Sequence, residues 1–386
     1  GFSLPEPPGH GGGKPPHGDD DSGIAMPMPE CEGPPGLYVD GSCTKLAQDI
    51  REYRPKYELW NDGATKERFI YLPPDTTIDT TNPDRWTFPQ GTRLYKTFSV
   101  NGVRVETRLI EKTGTAASVD SWTFTAYAWS ADQKSAAPAD PAGVVNALGT
   151  THDIPAQAQC KSCHTMPNLD AVNGFEAIQL NHPGAITSLE LLIAEKLLVN
   201  GVDLPPNVTL DSARFPGDAH TQAGLGYLHA NCGHCHGGPA PKVGLSLWTM
   251  VGEKSVSDAP AIKTGSCQCL QKWIGRSNPA GDAYARRIAP GHADISGVIG
   301  RMSVRGAGEQ MPPLGTKVVD DDGVAAVSRF IDALDPNSCD ETVACPPPAA
   351  AGSAAPVPTA GSAAPAPSAG SAGAGPTAGA PAPITP

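Results

Sequence analysis

No stretch of this chain stays apolar for the ~20 residues a helix needs to cross a bilayer. The longest candidate, "ITSLELLIAEKLLVNG", is interrupted by Glu190, Glu195 and Lys196. Basic residues are short as well. Lys and Arg number 28 against 40 Asp and Glu, a formal net charge of −12, so nucleic acid and anionic membranes are poor partners. Neither a signal peptide nor an initiator Met is visible, and the opening "GFSLPEPPGH" reads as a mature or trimmed chain. No paired carboxylates and no nucleophile–base set stand out; the acidic residues of "LWNDGATKER" fit a surface better than a catalytic dyad. Residues 346–386 hold no charged and no aromatic side chain, so they cannot bury enough apolar surface to offset their chain entropy. A disordered tail is expected there, and a flexible Gly/Pro/His-rich leader over 1–30.

What the chain does have is cysteine. Ten are present, and four of them lie in two short motifs. The remaining six are Cys31, Cys43, Cys267, Cys269, Cys339 and Cys345. An even remainder suggests disulfides and an oxidising compartment, hence a periplasmic or cell-surface protein. Cys267 and Cys269 are too close in sequence to bond each other easily. Their partners are expected among Cys339 and Cys345, with a separate Cys31–Cys43 bridge.

The 386 residues allow two domains with their own cores. Residues 31–140 read as β. "TRLYKTFSV" and "VRVETRLIEK" flank Asn101-Gly102, a strong hairpin signal. A two-residue turn there would put Phe98 opposite Val105 and Leu94 opposite Leu109 on a dry face. Thr97 with Glu106 and Tyr95 with Arg108 would then form a wet one. "RFIYLP" and "SWTFTAYAWS" add strands, giving an antiparallel β-sandwich-like or barrel-like domain. Residues 150–345 read as short helices between Gly/Pro loops. Thr187-Ser188-Leu189-Glu190 starts a helix expected over 188–200. "AHTQAGLGYLHANCGHCH" runs a helix into the second motif. "DDGVAAVSRFIDAL" carries Val324, Val327, Phe330, Ile331 and Leu334 on one stripe. The fold class expected is therefore α+β, in two parts.

The two motifs are Cys160-x-x-Cys163-His164 and Cys232-x-x-Cys235-His236. Zinc ribbons set their Cys pairs about 15–20 residues apart, whereas 68 residues separate Cys163 from Cys232. Zinc also has no need for a His directly after each pair. A thioredoxin-like disulfide needs a strand before the motif, and "THDIPAQAQ" is not a buried strand. Covalent haem uses all three residues: two thiols form thioethers to the vinyl groups and the adjoining His ligates iron. For the second motif, Met311 in "GEQMPPLG" is the expected sixth ligand, a thioether on a loop stiffened by two prolines.

These pieces resemble known proteins. Residues 225–335 look like a class I cytochrome c domain, through the motif helix, "APGHADISGVIGRMSVRG", the Met311-Pro312-Pro313 loop and the closing helix. More broadly, 55–335 resembles a family of bacterial dihaem c-type cytochromes. The phrases that carry this likeness are "LWNDGATKERFIYLPP", "FPQGTRLYKTF", "AQCKSCH", "IQLNHPG", "YLHANCGHCH" and "MPPLG". The resemblance implies two covalent haems c, a mainly α-helical haem region after the β domain, and single-electron transfer with a dehydrogenase or another cytochrome. The sixth ligand of the first haem is open among His152, His182, His220, His229, Met250 and Met302, since Met166 lies too near His164. His229, about one turn before Cys232, is the expected choice. A first haem with no sixth ligand would instead fit a dihaem peroxidase-like enzyme.

Overall fold

The computed structural model describes residues 31–165, 169–199, 208–237, 241–270, 276–306, 308–339 and 345. The leader, the tail and Met166 lie outside the described residues. The fold is mixed α+β. Eight strands, β1 (Ile50–Glu52), β2 (Thr65–Tyr71), β3 (Ile78–Asp79), β4 (Arg93–Val100), β5 (Val103–Lys112), β6 (Trp122–Trp129), β7 (Ala136–Pro138) and β8 (Leu198–Val199), form two sheets. Six of them make one antiparallel sheet in the order β1-β2-β4-β5-β6-β7, and β3 pairs with β8 in parallel.

A second large sheet, which a sandwich requires, is not found among the described residues. Other chain covers the six-stranded sheet on both faces. On one face, Phe69, Tyr95, Leu109, Tyr127 and Trp129 pack against Leu37 and Cys43 of the segment closed by the Cys31–Cys43 disulfide. On the other, Ile70, Leu94, Trp122 and Phe124 share a core with Val172, Phe175, Leu180, Leu189 and Leu192. Residues of both expected regions, 31–140 and 150–345, contribute to this second core. The described residues up to 345 fall in one compact unit.

The hairpin forms at Asn101-Gly102, but its register corrects the expected pairing. A β-bulge between Phe98 and Ser99 shifts the ladder, so Phe98 faces Glu106 and Tyr95 faces Leu109. Because strand side chains alternate, one extra residue sends each later side chain to the other face. Glu106 and Arg108 therefore share a face with Lys96 and Phe98, against the covering chain.

The helices are α1 (Cys160–His164), α2 (Ala177–Leu180), α3 (Leu189–Ala194), α4 (Ala219–Asn231), α5 (Pro260–Gly265), α6 (Gly297–Met302) and α7 (Asp321–Asp332). Ser188 caps α3 by accepting from Leu191 N. The helix ends at Ala194 rather than at 200: Lys196 takes φ +57° and the chain leaves as β8. On α7, Val327, Phe330 and Ile331 are buried as the stripe requires, facing Leu225 and Leu228 of α4. The disulfides are Cys31–Cys43, Cys267–Cys339 and Cys269–Cys345, the expected groupings.

Glycines allow the close packing of α4. A Cβ on Gly224 would stand 2.3 Å from Phe330 Cβ, and one on Gly226 would stand 2.2 Å from the Tyr57 ring. In a free helix, Gly→Ala gains about 1 kcal/mol. At Gly224 overpacking costs about 1–3 kcal/mol, so Gly224→Ala is expected to lower stability. A raised urea midpoint for that variant would contradict this packing.

Candidate cofactor site

Motif one is the single turn α1, and motif two follows α4 directly, with Cys232 as its C-cap. The fold brings them together although 68 residues lie between. Cys163, His234 and Cys235 have ligand-type atoms within 4.8 Å of one another. The Cys235 thiol also lies 3.7 Å from the Ser162 carbonyl. Hydrogen bonding between the two thiols pushes Cys163 above the ordinary thiol range and holds Cys235 below it.

Each motif histidine is oriented by a backbone carbonyl. His164 Nδ1 meets Ala171 O at 2.5 Å, and His236 Nδ1 meets Lys242 O at 3.2 Å. A proton held at Nδ1 leaves the Nε2 lone pair available to a metal. Burial also disfavours the charged imidazolium in both, taking His164 down to about 4.

The carbonyl that orients His164 is itself anchored. The neighbouring Asp170 is buried and accepts from Lys112 Nζ at 2.6 and 2.7 Å, from Phe88 N at 2.7 Å and from Trp122 Nε1 at 3.0 Å. A second tie runs through Asn173, whose Nδ2 donates to Cys163 O at 3.2 Å while its Oδ1 accepts from Arg85. The Arg85 guanidinium lies 3.3 Å above the Trp248 ring, and the His229 ring lies 3.9 Å from Trp248. This buried chain of side chains joins motif one to the helix of motif two.

Motif two opens on a cavity of about 320 Å³, within the range of small-molecule sites. Its apolar walls come from Leu245, Leu247, Leu270, Val298 and Met302, and Cys232, Cys235, His236, Met311, Pro312 and Pro313 also line it. The loop carrying Met311 is braced. Gln310 accepts from Gly306 N and donates to Pro312 O and Thr316 O.

The "LWND" segment, read from sequence as surface, clamps this loop to α4. Asp62 accepts from Thr316 Oγ1, Lys317 N and Val318 N, and Asn61 Nδ2 donates to Gly315 O at 2.7 Å. Trp60 N donates to Asn231 Oδ1 at 2.6 Å, one residue before Cys232.

His229, the expected ligand at motif one, is buried on α4. Its Nε2 is bonded to Glu176 at 3.1 Å, and its Nδ1 accepts from Thr249 N at 3.1 Å. Both ring nitrogens are engaged, so the side chain ties α4 to Glu176 and to the Thr249 backbone. Met302 lines the cavity of motif two, not of motif one. His182 Nε2 bonds Arg54 O, His220 is exposed at the start of α4, and Met250 is 46 % exposed. His152 Nε2 bonds Glu106 at 2.7 Å beneath motif one. Arg287 lines the cavity, but its guanidinium donates to the carbonyls of Val243, Gly244 and Thr264.

The donor set and cavity suit a porphyrin tethered by thioethers. Each motif offers two thiols and a neutral imidazole, and motif two adds a thioether within the same apolar space. Comparison with protein-family models, with curated proteins and with solved structures finds no match for this chain.

Two outcomes are expected here. Asp170→Ala leaves Lys112 buried without a carboxylate, which costs about 3–5 kcal/mol, measured by denaturant unfolding. The second concerns pH. Burial raises Asp84 to about 6 and Glu253 to about 7. An acid whose folded pKa is raised binds protons more tightly when folded, so its contribution is present at low pH and lost as pH rises. The share of stability contributed by these two carboxyls should fall between about pH 4 and 7, and Asp84→Asn should remove the Asp84 share, raising the melting temperature relative to wild type more at pH 7 than at pH 4.

Proposed function

We propose that this chain is a dihaem c-type cytochrome that relays single electrons between partner proteins, a dehydrogenase or another cytochrome among them, in the periplasm or at the cell surface. The observation that carries the reading is the paired arrangement of Cys-x-x-Cys-His motifs. Both histidines are fixed through Nδ1, and both motifs abut at Cys163 and Cys235.

When bound, haem supplies reversible one-electron chemistry at iron. The chain does the rest. Cys160 and Cys163, and Cys232 and Cys235, supply the tethering thiols. His164 and His236 supply imidazole ligands whose orientation is set by Ala171 and Lys242. Met311 supplies a thioether at motif two, and a thioether favours a higher potential than a second imidazole. Leu245, Leu247, Leu270 and Val298 keep water from that centre. Asn61 and Asp62 hold the Met311 loop at a fixed distance from Cys232, so the ligand need not be ordered at each redox turnover.

A second reading is favoured by the engagement of both His229 nitrogens. If nothing else ligates at motif one, that position is open to peroxide or another small ligand, and the chain is a haem enzyme. A metal ion held by Cys163, His234 and Cys235 would use three grouped ligand atoms. It would leave Cys160, Cys232 and the two oriented histidines without a role.

A pyridine haemochrome assay on protein from a host competent in cytochrome c maturation should count two covalent haems per chain. Cys163→Ala and Cys235→Ala should each lose one. Colourless protein with stoichiometric zinc would end the haem reading. Met311→Ala should abolish a weak far-red ferric band and lower one potential only. A high-spin ferric signal that responds to cyanide or peroxide would favour the enzyme reading over relay.

A further inference from the structure

The six-stranded sheet carries an arrangement that its own stability does not explain. In the register Arg68–Lys96–Arg108, three cations stand directly across from one another on β2, β4 and β5. Like charges directly opposite on adjacent strands destabilise a sheet. All three lie on the face that β-bulge register turns toward the covering chain, and Lys66 of β2 stands two residues from Arg68 on the same face.

Two carboxylates answer part of this charge. Glu106 accepts from Arg108 Nε at 2.7 Å and Nη2 at 2.9 Å, and Glu58 pairs with Arg68 at 3.2 Å and Lys66 at 3.6 Å. Four cations against two carboxylates leave two positive charges over. Lys96 has no hydrogen-bond or ion-pair partner among the described residues, and its Nζ rests 5.1 Å from the Phe98 ring. Arg68 is 4 % exposed, and its Nη1 is buried without a hydrogen-bond partner. Partial burial, with repulsion from Arg68, Lys66 and Arg108, disfavours the charged form of Lys96 while no anion stands beside it. A buried unpaired donor on Arg68 beside a repelled cation calls for an anion.

The cluster belongs to motif one. Cys160 packs on the core that holds Ile70, Leu94 and Ile110, which stand two residues along the same face from Arg68, Lys96 and Arg108 respectively. Phe124, opposite Ile110 on β6 and so diagonal to Arg108, has its ring 5.3 Å from that of His164.

We propose that the Arg68–Lys96–Arg108 row is an anion-binding wall for motif one, and that the groups it takes are the two propionate carboxylates of the porphyrin tethered at Cys160 and Cys163. Two carboxylates match the two uncompensated charges. The inference rests on the haem reading and adds to it a seat for the first haem on the β-sheet, with none of the row contributed by the helical part. The same chemistry would receive a free oxyanion, such as nitrite or phosphate, beside that iron.

The test uses the holoprotein and follows both haems by spectroelectrochemistry in the wild type, Lys96→Met, Lys96→Gln and Lys96→Arg. Removing a cation beside one haem favours its ferric form. At ~10 Å and an effective dielectric of ~20, the charge is worth about a tenfold change in the reduction equilibrium, or about 59 mV for one electron. One midpoint should fall by that amount in Lys96→Met and Lys96→Gln, recover in Lys96→Arg, and leave the other unmoved. Nitrite and phosphate titrations then separate the sources. Insensitivity of the wild type assigns the wall to the propionates. A saturable response that Lys96→Met abolishes assigns it to a free oxyanion. Two haems counted, with neither midpoint nor anion response altered in the Met and Gln variants, would overturn the inference alone. A haem count of zero would overturn the functional reading instead.

Discussion

The buried carboxylate of Asp170 is the constraint on which the first motif depends. A charge taken out of water is tolerated only where it is paired and hydrogen-bonded. Asp170 meets that condition through Lys112 and Trp122 of the sheet and the backbone of Phe88, all at 3.0 Å or less. These bonds fix the turn after α1 against β5 and β6. The next residue, Ala171, presents the carbonyl that orients His164. The geometry of a candidate metal ligand is thus set by a salt bridge in the core of a β-sheet. The sheet thereby holds the first motif in place.

The second motif is held on the same plan from a different part of the chain. Asn231 ends α4 one residue before Cys232, and its side chain accepts from Trp60 N and donates to Glu58 O. Asp62 and Asn61, just beyond, fasten the 315–318 segment that follows Met311. One short segment therefore fixes both ends of a potential ligand pair, His236 from one element and Met311 from another. Distributing His236 and Met311 between distant segments joined by a third makes their relative geometry a property of the whole fold, so mutations in "LWND" should disturb the cavity they share without lining it.

Local signals carried much of this into the sequence. Asn101-Gly102 announces its hairpin, α7 its apolar stripe, and the even set of six cysteines its three bridges. The cavity that gathers Cys232, Cys235, His236 and Met311 follows from motif and loop chemistry readable in one dimension. The failures have a common cause, which is side chains whose partners lie far along the chain. The tie of His229 to Glu176 spans 53 residues, so no local signal announces it. Asp62 looked like surface because its partners are more than 250 residues away. The ladder slipped because nothing in "VRVETRLIEK" marks Val105 as the extra residue of a bulge.

That bulge shows how much chemistry can turn on one residue of register. Without it, Glu106 and Arg108 would stand opposite Thr97 and Tyr95, on the face packed against the Cys31–Cys43 segment. With it, both carry their charge inward beside Lys96, into a layer where unpaired ions are costly. A sheet needing only a core would gain by placing apolar residues at 68, 96 and 108, as the flanking Ile70, Leu94 and Ile110 already do. Keeping three cations there instead sacrifices stability for a charged surface under the first motif, which is intelligible if an anionic group completes the fold at that point.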